Sequence, residues 1–192
     1  MSIRILITLA VSALLLACGP GDSPSPSSAL PPVILPIANE VQQKPNWCWV
    51  ATSRQLIASV PGGPGQSTPP QCVLAADALG VSPADCCSGS SFCDVPASMQ
   101  SQQYLIRKYA GRPSAVYPPT TAESLYQTIK AGYGVILTIR GTGLVGHVVV
   151  LRGMVWENGV PYVIVNDPLS YFPSTIPFQE LVPYWQAAIV VS

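Results

Sequence analysis

Three residue types that can act together on a carbonyl stand far apart in this chain: Cys48, His147 and Asp167. Cys48 lies in Asn46-Trp47-Cys48-Trp49-Val50-Ala51, at the head of a run in which Trp49, Ser53, Leu56, Ile57 and Val60 share one face at helical spacing. Asn46 can cap that helix, and Pro61-Gly62-Gly63-Pro64-Gly65 stops it. Unpaired N–H groups and the positive end of the helix dipole favour a thiolate at such a place, and the thiolate is the nucleophilic form. The competing reading is an inert core cysteine between two tryptophans.

His147 is the only histidine, so any imidazole base must be this one. It opens an apolar run to Trp156 after the small-residue approach Gly141-Thr142-Gly143-Leu144-Val145-Gly146. A second run, from Val160 to Asn166, follows Glu157-Asn158-Gly159 and leads into Asp167-Pro168. With a three-residue loop, Trp156 faces Val160 and Asp167 falls opposite Val149, on the same sheet face as His147. The carboxylate is then a diagonal neighbour of the imidazole, while Asn166 points to the other face. A two-residue loop would shift every pair by one and spoil the arrangement. Asp-Pro at a strand end is also a common turn opener.

These residues need a scaffold of helices followed by strands. Thr68-Pro69-Pro70 opens a helix through Leu79, stopped by Gly80. Asp94 and Pro96 introduce another, with Met99, Leu105, Ile106 and Tyr109 on one side and Gly111 after it. Thr120-Thr121-Ala122-Glu123 reads as a capping box for a helix carrying Leu125 and Ile129 and ending at Gly132. Val135 to Arg140 then reads as a strand, before the two already described. Helices first and sheet second is an α+β layout.

Residues 1–17 read as a signal peptide, with Arg4 as the positive end and Ile5 to Leu16 as an apolar stretch short for a membrane span. Leu15-Leu16-Ala17-Cys18 resembles the bacterial lipobox, which implies lipidation of Cys18 and a lipid-anchored envelope protein. Gly19 after it favours the outer over the inner membrane. Residues 18–32 are a Pro/Ser/Gly-rich tether, and residues 33–192 form one domain. Lys and Arg balance Asp and Glu at 9 each, and only 9% of residues are charged, so no basic field points to nucleic acid.

Six cysteines in an exported chain suggest disulfides. With Cys18 lipidated, Cys72, Cys86, Cys87 and Cys93 form a cluster. A bridge between the neighbours Cys86 and Cys87 is sterically poor. That leaves 72–86 with 87–93, or 72–87 with 86–93, and Cys48 free. A zinc site is disfavoured because no Cys-x-x-Cys occurs and the histidine is remote. No metal or cofactor is expected.

The order cysteine, histidine, carboxylate, and the segments Gln42…Asn46-Trp47-Cys48-Trp49-Val50-Ala51, Gly146-His147-Val148-Val149-Val150 and Val165-Asn166-Asp167-Pro168, resemble the papain-like cysteine protease superfamily. Within it the chain is similar to the compact bacterial branch that includes a secreted effector protease of plant pathogens. The resemblance implies a papain-like fold, with the nucleophile helix packed on a C-terminal antiparallel sheet or barrel. It also implies Cys48 as nucleophile, His147 as base, Asp167 as its orienting group, and Gln42 rather than Gln43 as oxyanion donor, a contribution of roughly 3 kcal/mol in related chemistry. Trp47 departs from the small residue that papain places before its cysteine. Leu169 stands where papain has a shielding tryptophan, a place that Tyr171 or Trp185 could fill.

The expected function is thus a membrane-tethered, monomeric cysteine endopeptidase acting on peptide or protein substrates through a thioester. Its rivals are a catalytically silent papain-fold interaction module, or a related acyl transferase or cell-wall amidase. Cell-wall enzymes of this fold usually use a second histidine, which this chain lacks.

Overall fold

A computed structural model describes residues 30–60, 68–141 and 144–192. The signal peptide, Cys18 and most of the tether lie outside the described residues. Helix α1 (Cys48–Ser59) forms where the apolar spacing places it and buries Trp49, Leu56 and Ile57. Asn46 does not cap it. Trp47 holds the N-cap position without a side-chain bond, because the Asn46 amide donates to the Asp94 carbonyl at 3.0 Å. Helix α2 (Gln71–Leu79) ends at Gly80, whose φ of 70° is the left-handed conformation that glycine adopts without strain. A short α3 (Pro83–Cys87) and a 3-10 turn (Ser91–Cys93) carry the cysteine cluster. Helix α4 (Met99–Ala110) is capped by Ser98 and α5 (Ala122–Lys130) by Thr121. The expected capping box is therefore one residue early: Thr121 accepts from Ser124, and Glu123 is not at the reciprocal position.

The strands are β1 (Val33–Ile34), β2 (Ser114–Tyr117), β3 (Gly134–Gly141), β4 (Leu144–Glu157), β5 (Val160–Asn166), β6 (Thr175–Pro177) and β7 (Trp185–Val191), with a short α6 (Phe178–Leu181) before β7. They form one antiparallel sheet in the order β2-β7-β3-β4-β5-β6, with β1 added to β4. Successive side chains on a strand point to opposite faces, so β3 and β4 feed two cores. Ile136, Val148 and Val150 meet α1, α2 and α4, while Val135, Leu137, Val149 and Leu151 meet α5 and α6. The fold is α+β, with the N-terminal helices packed on a C-terminal antiparallel sheet, as in papain-like proteins.

The β4–β5 hairpin corrects the expected turn and yet keeps the expected site. Glu157 pairs with Val160, so the loop is only Asn158-Gly159. Both residues have positive φ, at 51° and 81°, as a two-residue turn matching the strand twist requires. The register is thus one residue off near the turn. A bulge between Leu151 and Gly153 then absorbs the difference, and Val150 pairs with Asn166. The next step along both strands brings Val149 and Asp167 together, as the longer loop would have done.

Gly153, at that bulge, lies under β1. A Cβ there would sit 2.6 Å from the Val33 carbonyl oxygen and 3.2 Å from the Ile34 Cα, both backbone atoms that cannot swing aside. Gly153→Ala is expected to destabilise the domain by about 1–3 kcal/mol through overpacking. Chemical denaturation of the two proteins checks this, and an unchanged midpoint would mean that β1 is not held there.

Candidate functional site

Asp167 and His147 meet as the sheet register requires. His147 Nε2 and Asp167 Oδ1 are 2.7 Å apart, and both side chains are almost wholly buried. The carboxylate is further cradled by backbone N–H groups: Leu169 donates to Oδ1 at 2.9 Å, and Tyr171 and Phe172 donate to Oδ2 at 2.8 and 3.0 Å. Burial alone would raise the Asp167 pKa. The hydrogen bonds from His147, Leu169 and Phe172 outweigh it, and the carboxyl is held below its usual range. Burial likewise opposes a charged imidazole. Hydrogen bonds and charge interactions with Asp167 and Cys48 overcome it and push the His147 pKa up to about 9.

Because Nε2 is taken by Asp167, Nδ1 is the ring nitrogen left for Cys48. The half-buried Cys48 sits in the first turn of α1, its sulfur 4.0 Å from the Gly146 carbonyl oxygen. The described residues contain no other free cysteine. Tyr171 and Phe172 flank the imidazole, with ring centroids 5.9 and 6.5 Å away, the Phe172 ring nearly parallel. They fill the shielding position, and Trp185 instead packs edge-on against Phe178 in the α5/α6 core. Phe172 escaped the sequence reading, since nothing in its spacing separates it from a loop aromatic.

The cysteine cluster holds the Cys48 segment from behind. The bridges are Cys72–Cys87 and Cys86–Cys93, one of the two pairings left open. The Trp47 indole donates to the Cys93 carbonyl at 2.7 Å and the Trp49 indole to the Val95 carbonyl at 3.0 Å. The Asn46 N–H donates to the Asp94 carboxylate at 2.8 Å, and the Gln43 N–H to the Gln71 side chain at 2.9 Å. Trp47, unexpected before a papain-like cysteine, is thereby explained: its ring is 1% exposed and anchors the segment to the bridged excursion.

Gln42 is not arranged as expected. Its side-chain nitrogen donates to the Lys44 carbonyl at 2.7 Å and to the Pro45 carbonyl at 2.6 Å, which uses both amide hydrogens. Its own oxygen is buried without a partner. Gln43 takes part through its backbone N–H, and its side chain is exposed.

These findings correct the expectation of a thiol protease that hydrolyses peptide bonds. Four of the five described cysteines are disulfide-bonded and carry no thiol, so thiol chemistry is confined to Cys48. The side-chain amide assigned to the oxyanion has no hydrogen left to donate. Among the described residues there is no group of His, Cys, Asp and Glu able to hold a metal ion, and no helix long and apolar enough to cross a membrane.

A search of curated protein sequences finds no match. Solved structures do match in fold. One described as a C39-like peptidase from Bacillus anthracis superposes with a TM-score of 0.58 at 16% identity, covering 84% of this chain and 98% of that one. The peptidase domain of Streptococcus ComA, a bifunctional ABC transporter of a quorum-sensing pathway, gives 0.58 at 13% identity, covering 81% and 98%. A double-glycine-motif protease from an AMS/PCAT transporter, solved with a leader peptide, gives 0.55 at 19% identity, covering 83% and 96%. At these identities the likeness is one of fold. The profile of the Peptidase_C39 like family matches residues 34–189, nearly the whole folded domain, and the chain belongs to that family, within the bacterial part of the papain-like superfamily.

Proposed function

We propose that the domain is a catalytically silent papain-fold interaction module that holds an extended peptide or protein segment beside Cys48 and releases it uncut. The observation that carries this reading is the state of Gln42. Acyl transfer builds negative charge on the carbonyl oxygen, and each aimed donor that is missing costs a factor of about 10²–10³ in rate. Re-aiming the Gln42 amide would strip the Lys44 and Pro45 carbonyls of their donor. Recognition needs less. Gly146, with φ of 73° and open space where a Cβ would stand, lets a ligand backbone come close to the Cys48 sulfur. Fold membership does not by itself bring the chemistry of relatives.

The test is a binding titration with a peptide library. Wild type and Cys48→Ala are expected to bind the same peptides within about threefold, and to return them intact. Products that form with wild type and vanish with Cys48→Ala would overturn the proposal.

The module is further proposed to act as a monomer, residues 33–192, on the bacterial cell envelope. Support comes from Leu15-Leu16-Ala17-Cys18 and the tether after it, with Gly19 favouring the outer membrane. Several acyl chains on one residue give stable anchoring. Cys18→Ser is expected to move the protein from the membrane to the soluble fraction or leave it unprocessed. Unchanged fractionation and acyl labelling would contradict the anchor. The narrower kinship with plant-pathogen effector proteases is a further proposal that rests on the segments around Cys48, His147 and Asp167, the first being the most specific.

A further inference from the structure

The described chain begins at Leu30, on helix α5. The Tyr126 hydroxyl donates to the Pro31 carbonyl at 3.1 Å, and Leu30 packs on the core cluster that contains Leu125 and Tyr126. The same helix walls a second feature. A cavity of about 350 Å³ is lined by Tyr117, Pro118, Leu125, Thr128, Tyr133 and Trp185, among others. Tyr117 is 52% exposed and Tyr133 41% exposed, so two large rings face solvent side by side in one groove. Tyr117 ends β2, the edge strand of the sheet, which pairs with β7 alone.

We infer that this groove is the docking site of the chain's own proline-rich segment, residues 19–29. Grooves walled by tyrosine, tryptophan and proline suit a polyproline II ligand, whose rings stack on the aromatic faces and whose stiffness lowers the cost of ordering. The segment reads Gly19-Pro20-Gly21-Asp22-Ser23-Pro24-Ser25-Pro26-Ser27-Ser28-Ala29. Its length fits. Thr128 is two residues beyond Tyr126, about 200° around α5 at 3.6 residues per turn. Half the perimeter of a helix about 10–12 Å wide is roughly 16–19 Å, which about six residues at 3.1 Å each would span. Counting back six from Leu30 reaches Pro24, which leaves Pro20 to Pro24 to lie along the groove. Docked in this way, the segment holds the domain close to whatever Cys18 is attached to; undocked, it gives the domain its full reach.

The experiment places a benzophenone photo-cross-linker at Tyr117 in the full-length chain, and maps the products by mass spectrometry. Cross-links from position 117 to residues 19–29 of the same molecule are expected. They should drop at least tenfold when Pro20, Pro24 and Pro26 are all replaced by serine, or when Tyr133→Ala opens the groove. Hydrogen exchange at the Tyr117 and Tyr133 amides should rise in the serine variant while exchange in β3 and β4 stays the same. Cross-links only to lipid, only to a second copy, or unaffected by the proline replacements would each overturn the inference.

Discussion

Reducing the two disulfides is expected to lower the unfolding midpoint by roughly 10–30 °C and to change the alkylation rate of Cys48 severalfold. Each bridge typically contributes about 2–4 kcal/mol, and a domain of this size loses about 2–4 °C per kcal/mol. The second effect comes from local structure. Cys93 belongs to the buried bridge, its carbonyl receives the Trp47 indole, and the adjacent Asp94 holds Asn46 by two hydrogen bonds. Cys86→Ser with Cys93→Ser should therefore disturb Cys48 more than Cys72→Ser with Cys87→Ser, since Cys87 is exposed and the groups that hold Trp47 and Asn46 belong to Cys93 and its neighbour Asp94. Site-resolved alkylation and thermal unfolding, with and without reductant, measure both. If the two double variants leave Cys48 equally unaffected, the excursion does not position it.

The second large effect is the dependence of stability on pH through His147 and Asp167. The folded His147 pKa is raised to about 9 from an ordinary 6.5. Its contribution is thus fully present below about pH 6.5 and is lost as pH climbs through 9. The folded Asp167 pKa is lowered, so its contribution is present above the usual carboxyl range and fades as pH falls below it. Stability from the pair is therefore greatest between these limits. Asp167→Asn leaves the buried imidazole without its counter-charge and is expected to cost about 3–5 kcal/mol near pH 6. The gap between wild type and variant should narrow from pH 6.5 to 9. Urea midpoints across pH 5–10 give that difference directly, and a gap that is constant across the range would contradict the pairing.

Much of this is legible in the sequence alone. Apolar spacing placed α1, α4 and the three central strands, since those elements bury a face large enough to leave a period in the sequence, while α2 was placed by its proline opening and glycine stop. The cysteine count isolated Cys48 because a bridge between chain neighbours is sterically poor. The turn was misread and the site still came out right, because the bulge at β4 cancelled the shorter loop, and a bulge leaves no periodic trace. The strands β1, β2, β6 and β7 went unread. The first three are two to four residues long, and β7 opens on Trp185-Gln186-Ala187-Ala188, which has no strict apolar–polar alternation. Asn46 and Gln42 show the harder limit. Each has the right residue type at the right spacing, yet each spends its amide on a carbonyl: Asn46 on Asp94, which the fold brings beside it, and Gln42 on its near neighbours Lys44 and Pro45. Spacing reports which residues can meet; it does not report which partner wins a hydrogen.

Turnover itself decides the central claim. The full-length protein with its disulfides intact, and its Cys48→Ala variant, are incubated separately with a complex library of natural peptides at pH 6–8. New termini are then counted by mass spectrometry. A silent interaction module gives the same termini in both samples as in buffer, while retaining bound peptides. Termini produced by wild type and absent with Cys48→Ala would contradict the account, and would mean that the Gln42 amide leaves Lys44 and Pro45 when a ligand carbonyl arrives.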